Sequence, residues 1–427
     1  MKKINIKGLK EIVYHEKLPS GLDVYLWPNE KSNSFFASLN VKYGSIHTDF
    51  KLKNSKKVYH VPTGVAHFLE HLNFNTKDGD VYEIFDRLGS DINAFTTFEY
   101  TSYHVSGANN VEENINTLLD YVCTPYFTKE LVEKEKGIIL EEARSGLDNP
   151  GNIFLFKKLE NALHKDKRRN RIIGTLDDIK RTTVEDIELV YNSFYHPENM
   201  FLVVTGNIDL YATMACIKEN MLKKDFPKYQ KPEIVEIKEP AKVFKEYEVI
   251  DGNVQDSIAS VVIKMSQKKL KVSVKNNILY SLILKCNFGA TSEFKNELID
   301  NKLVAGLDFS RTSVTDNILV SINVRTKYPE EVVNMIKEKL NDLSITKEDF
   351  ERKKRASIAN LVFLYDDAEE VNMNIQDDII YSKNHKIIND IKEIYENLEY
   401  EEAVELLEKL NFNNISVLIM KQKKETN

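Results

Sequence analysis

Apolar and polar positions alternate twice near the start of the chain. Leu22-Asp23-Val24-Tyr25-Leu26-Trp27-Pro28 follows a Ser20-Gly21 turn, and FFASLNVKY (Phe35–Tyr43) alternates again up to Gly44. Period-two alternation puts successive side chains on opposite faces, so these runs predict antiparallel strands with one buried face. The period then becomes helical. A helix is expected from near Gly64, with Val65, Ala66, Phe68, Leu69 and Leu72 on its apolar side. A second begins around Asp80 and runs through Val81, Ile84, Phe85 and Leu88 to a stop at Gly89. Strands are expected at Asp91–Phe95 and Tyr100–Ser106. Helices are expected at Val111–Val122, Lys129–Gly146, Gly151–Leu163 and Thr183–Phe194. A strand at Met200–Thr205 closes this half at Gly206-Asn207.

The second half has the same texture. Strand patterns occur at Ile258–Met265 and Leu319–Val324, and helical ones at Val274–Cys286, Glu330–Leu343, Lys347–Leu364 and Glu401–Lys409. The endings rhyme: HPENMFLVVTGN closes the first half and NFNNISVLIMKQ the second, a weak internal repeat. Residues 223–242 hold Pro227, Pro232 and Pro240 among alternating charges, which predicts an extended linker. The expected organisation is a unit over 1–222, a linker over 223–242 and a second unit over 243–427.

A chain of 427 residues has room for two such units. With 42% hydrophobic and 29% charged residues it is an ordinary globular composition, not a repetitive or disordered one. A net charge of −7 argues against a nucleic-acid binder. Charges interrupt the N-terminal segment every few residues, so no secretory signal is expected there. No apolar run is long enough for a membrane span. Cys123, Cys216 and Cys286 are scattered and odd in number, which fits a reducing cytoplasm better than a disulfide framework.

Candidate chemistry concentrates in GVAHFLEHLNF (Gly64–Phe74). His67 and His71 are four apart on a predicted helix, so both imidazoles reach one divalent ion from one face. Glu70 lies beside them and can face the open coordination position. This is the inverted order of the HExxH zinc-protease motif. The plainer reading is a surface helix with solvated histidines, and the apolar neighbours argue against it. A catalytic zinc site needs a third protein ligand. In EKEKGIILEEAR (Glu133–Arg144), Glu135 and Glu142 are seven apart and share a helix face, while Glu141 is rotated away. Glu142 is a candidate ligand and Glu135 a candidate helper. Spacing alone leaves a solvated helix of paired charges equally open.

These segments, with LGSDINAFTTFEYTSYHV (Leu88–Val105) and the ending His196–Gly206, resemble the pitrilysin/insulinase family of inverted zinc peptidases, which includes mitochondrial processing peptidase. The resemblance is strong over 15–210, weaker over 240–427, and closest to half-length bacterial members. It implies an α+β fold of two similar units, each a mostly antiparallel sheet with helices on one face. The first would be catalytic and the second a non-catalytic chamber wall. It implies one Zn2+ per chain, held by His67, His71 and Glu142, with Glu70 as general base and Glu135 as catalytic helper. Asn93, Ala94, Phe95 and Thr96 become candidate substrate contacts. The implied activity is metalloendopeptidase action on peptides or unfolded leader and processing segments. The implied assembly is a homodimer, or a heterodimer with a paralogous subunit. The alternative is a non-catalytic peptide-binding or scaffold subunit of a heterodimeric processing peptidase.

Overall fold

The two alternating runs become neighbours of the strand that ends the first half. In the computed structural model, which describes residues 1–53, 55–77, 79–270, 272–382 and 384–423, seven strands form one sheet. They are β1 (Lys2–Ile6), β2 (Glu11–Lys17), β3 (Asp23–Pro28), β4 (Phe35–Val41), β5 (Ser90–Thr96), β6 (Thr101–Gly107) and β7 (Met200–Gly206). Their order is β1-β2-β3-β7-β4-β6-β5. β7 runs parallel to β3 and antiparallel to β4, and the other pairs are antiparallel. Register is fixed by burial: Leu39 on β4 faces Leu202 on one side and Tyr103 on the other, all three in the core. A one-residue slip would send each of them to the wrong face.

One face of this sheet packs on α1 (Val65–Asn73), α2 (Tyr82–Leu88) and α3 (Val111–Cys123), through Phe68, Leu72, Phe85, Leu118 and Val122. The first part of α4 (Lys129–Asp148) adds Val132 and Ile139 to the same core. The far face is covered as well. There Tyr25, Trp27, Phe36 and Val203 pack on Val371, Ile375 and Ile379 of α6 (Ala368–Tyr381), a helix from near the end of the chain; α5 (Pro150–Ala162) lies elsewhere. Every residue of β4 is therefore buried, where alternation predicted one solvated face. A buried polar knot fixes α6. Asn372 donates to Phe36 O and Val203 O at 3.2 and 3.1 Å, and accepts from the Ser38 hydroxyl at 2.6 Å.

The second unit repeats the first. β8 (Tyr247–Gly252), β9 (Ser257–Ser266), β10 (Gly306–Val314), β11 (Asn317–Thr326) and β12 (Ile415–Gln422) take the order β8-β12-β9-β11-β10. β8 is parallel to β12 and the rest are antiparallel. This is the order β3-β7-β4-β6-β5 again, so the rhyming endings are equivalent central strands. Helices Val274–Phe288 and Pro329–Asn341 cover one face. On the other, Phe154 of α5 packs on Leu418 and Met420.

The compact units are therefore interleaved in sequence, unlike the consecutive halves the sequence suggests. The first comprises 1–144, 171–235 and 361–390, and the second 145–170, 236–360 and 391–427. Each half lends one helix to the far face of the other half's sheet. The stretch expected as a linker is mostly irregular, but it is anchored. Glu233–Ile234 pairs with Phe50 and Lys51, and Glu239 is buried. No helix among the described residues is long and apolar enough to cross a membrane.

One tight contact sets where α1 begins. Gly64 precedes the helix with φ +88, and an added Cβ would lie 2.1 Å from Ile173 O. Gly174, with φ +87, meets Thr63 O at 2.3 Å in the same way. Only residues without a Cβ allow the 171–175 loop to press this closely on the helix start. Thr63 N donates to Asp178 at 3.1 Å and fixes the same junction. Gly64→Ala is expected to lower unfolding stability by about 2–3 kcal/mol, from left-handed strain plus the clash. Urea denaturation checks this, and a loss below ~0.5 kcal/mol would show that the junction relaxes freely.

Candidate metal centre

α1 turns its apolar side inward, with Val65, Ala66, Phe68, Leu69 and Leu72 at most 2% exposed. That leaves His67 and His71 toward α4, with Glu70 beside them toward the end of β5. Glu142 and Glu135 of α4 lie two turns apart and meet them. His67 Nε2 is 3.7 Å from Glu142 Oε1, and His71 Nε2 is 3.5 Å from Glu142 Oε2. His71 Nδ1 is 3.5 Å from Glu135 Oε2. The imidazole centroids are 4.7 Å apart.

The first two separations are too long for good hydrogen bonds. They suit a shared ion: tetrahedral zinc with bonds of ~2.0–2.1 Å places its ligand atoms roughly 3.3 Å apart. Among the described residues, the group of three His, Cys, Asp or Glu side chains with ligand atoms all within 4.8 Å of one another is His67, His71 and Glu142. The structure thus brings together the histidine pair and the candidate third ligand.

The electrostatics fit a cation site. Burial, and the neighbouring His71, hold His67 down at about 4, so it is a neutral imidazole with a free lone pair. Its Nδ1 is buried with no hydrogen-bond partner among the described residues. Burial opposes a charge on His71 too, but Glu135 and Glu142 outweigh it and hold the group up at about 9. Glu142 is pulled below the usual carboxylate range by His71, against partial burial. Glu135 is 6% exposed and lies 3.5 Å from the other ring nitrogen of His71. Glu70 is 8% exposed. Burial raises its pKa, and the Thr96 hydroxyl, donating to Glu70 Oε2, pulls the other way.

Thr96 ends β5, an edge strand of the sheet. The four candidate substrate residues do not point one way. Thr96 reaches Glu70 and Ala94 packs on the core with α1, whereas Phe95 stands against His104 and Tyr100. Asn93 is exposed, and its side-chain oxygen accepts from Ala94 N at 2.8 Å. Sequence reasoning missed the Thr96–Glu70 bond as such. The pleat of β5 could have shown it, since Ala94 and Thr96 share a face.

Residues 36–176 match the family model "Insulinase (Peptidase family M16)", and residues 181–357 match "Peptidase M16 inactive domain". A Bacillus subtilis protein named "Uncharacterized zinc protease YmfH" is 40% identical over 296 residues, 68% of this chain and 69% of that protein. The chain belongs to the M16 peptidase family. Zinc protease PqqE of Helicobacter pylori is 25% identical over 354 residues, 78% of each chain. Other alignments span less of the relative: PqqL of Escherichia coli, a probable zinc protease, is 32% identical over 175 residues, 38% of this chain and 18% of that protein. An M16-like peptidase from Alicyclobacillus acidocaldarius superposes with a TM-score of 0.91 and 26% identity, covering 98% of this chain and 100% of its own. The M16 fold, with its two similar units, is therefore the fold of this chain. The relatives' names support a general peptidase function and, for those relatives, zinc.

Proposed function

We propose that the chain is a zinc metalloendopeptidase acting on peptides or unfolded leader and processing segments. The observation that carries this reading is the spacing of His67, His71 and Glu142, which fits one tetrahedral ion and leaves Glu70 beside it. A zinc held by these three side chains would supply a Lewis acid for the scissile carbonyl and would acidify an attacking water. Glu70 takes the proton of that water and returns it to the leaving amine. Burial raises its proton affinity for this exchange, and Thr96 fixes the orientation of its carboxylate. Glu135 keeps the His71 ring turned toward Glu142. A substrate strand added to the sheet edge at β5 would pair with the backbone of Asn93–Thr96 and arrive beside Glu70.

The same reading extends to assembly and place. The chain covers 96% of itself but 48% of a solved PqqL chain at a TM-score of 0.76. That ratio supports two such chains forming the working enzyme, as a homodimer or with a paralogous subunit. Cys123, Cys216 and Cys286 are all free, which supports a cytoplasmic location. A second reading, a peptide-binding or scaffold subunit, draws on the inactive-domain match over 181–357. Cleavage of an unstructured peptide library, followed by mass spectrometry with zinc supplied, separates the two. Internal cleavage is expected. Stoichiometric zinc without cleavage by the chain, alone or in its assembly, would favour the scaffold.

A further inference from the structure

β10 is an edge strand of the second unit's sheet, and a hollow of about 400 Å³ opens beside its first residues. Lys295, Asp308, Asn323 and Arg325 line it. Arg325 is exposed, and its side chain has no hydrogen bond or ion pair among the described residues. Lys295 Nζ donates to Leu307 O at 2.8 Å on the rim. Asn323 connects the hollow to a buried cation. Its Oδ1 accepts from Lys158 Nζ at 3.2 Å and from the Ser260 hydroxyl at 2.9 Å, and its Nδ2 donates to Asp308 at 2.8 Å.

Lys158 projects from α5 and is 8% exposed. Its hydrogen-bond partner is a neutral amide oxygen, which compensates a buried ammonium poorly. Burial accordingly pulls its pKa down, and the nearby Asp308 only partly opposes this. Two cationic side chains, Lys295 and Arg325, thus line the hollow against one carboxylate, itself held by Asn323, and Lys158 lies buried behind that amide. Such a concave, positively biased site beside an edge strand favours an anion carried on an extended chain.

We propose that this hollow binds a carboxylate of a peptide, either a chain terminus or an acidic side chain. The peptide as ligand rests on the peptidase reading above. The site's charge and shape do not.

The test uses the full zinc-supplied chain carrying Glu70→Gln, so that peptides bind without being cut. Binding is measured for three versions of one unstructured peptide: the free C-terminal acid, its amide, and the acid with internal Asp and Glu changed to Asn and Gln. Loss of the recognised carboxylate should weaken binding about tenfold, and adding Arg325→Ala should abolish that discrimination. A weaker amide identifies the terminus, and a weaker Asn/Gln peptide identifies the side chain. Arg325 is at the surface, so its substitution spares the fold. Equal binding of all three peptides, no binding of any, or discrimination that survives Arg325→Ala would overturn the proposal. Cleavage by the unsubstituted chain is scored separately. Cleavage with carboxylate-blind binding overturns only this inference, and selective binding without cleavage overturns only the peptidase reading.

Discussion

Glu70→Gln should lower kcat by about a thousandfold or more while one zinc per chain is retained. The side chain is nearly fully buried between α1 and the end of β5, so an isosteric amide keeps the packing. Its oxygen can still accept from the Thr96 hydroxyl. What the amide cannot do is take a proton. General-base catalysis contributes roughly 10²–10⁴ in rate, and here the same group also delivers the proton to the leaving amine, so the upper part of that range applies. His67, His71 and Glu142 are untouched, and metal content should be unchanged. The measurement is a pair of progress curves on one cleaved peptide, with zinc quantified in both proteins. A variant within tenfold of the parent would mean that Glu70 is not the base.

The second large effect lies in the other unit. Lys264→Met should cost about 3–5 kcal/mol of unfolding stability, the loss typical of breaking a buried ion pair from one side. Lys264 Nζ sits 2.6 Å from Glu239 Oε1, with both side chains 0% exposed, and donates also to Ala162 O and Lys242 O at 3.0 and 3.1 Å. Glu239 in turn accepts from the backbone N–H groups of His164, Lys165 and Asp166 at 2.7–2.8 Å. One ion pair therefore ties β9, the end of α5 and the 236–242 stretch together. Methionine fills the volume but leaves the Glu239 charge with only its three N–H donors. Removing Glu239 instead would orphan those donors and is expected to cost a similar amount. Urea denaturation followed by tryptophan-independent circular dichroism reports the change. Trp27, the single tryptophan, belongs to the first unit. A loss under ~1 kcal/mol would show that the pair is dispensable.

The candidate metal site is legible because its signal is local. Four-residue spacing on α1 and seven-residue spacing on α4 each put donors on one helix face. The sequence did not say that these two faces meet. From spacing alone, a solvated helix is as open as a ligating Glu142. The first sheet was legible where its strands alternate, at β3, β4, β5, β6 and β7. β1 and β2 were missed because charges dominate them. β8 and β10 were missed because edge strands keep polar side chains, as in GLDFSRTSV of β10, and so read as loop.

The far-face helix was the largest gap. In α6 the face toward the sheet includes Asn372 and Gln376, both 0% exposed, which in sequence look like solvent positions. Their partners, Ser38 and the carbonyls of Phe36 and Val203, lie more than a hundred residues away. Nothing local tells a helix which sheet it will cover, so interleaved units cannot be read from neighbouring residues. Glu239 shows the same limit. It stands among prolines and charges that spell a linker, yet it is bound by Lys264 on β9.

X-ray absorption at the zinc edge, on the chain loaded with one equivalent of zinc, tests the central claim most directly. The account predicts a first shell of nitrogen and oxygen only, at ~2.0–2.1 Å, with the outer-shell scattering of two imidazoles, and loss of stoichiometric binding in Glu142→Ala. Sulfur in the first shell, fewer than two imidazoles, or a site unchanged by Glu142→Ala would contradict it.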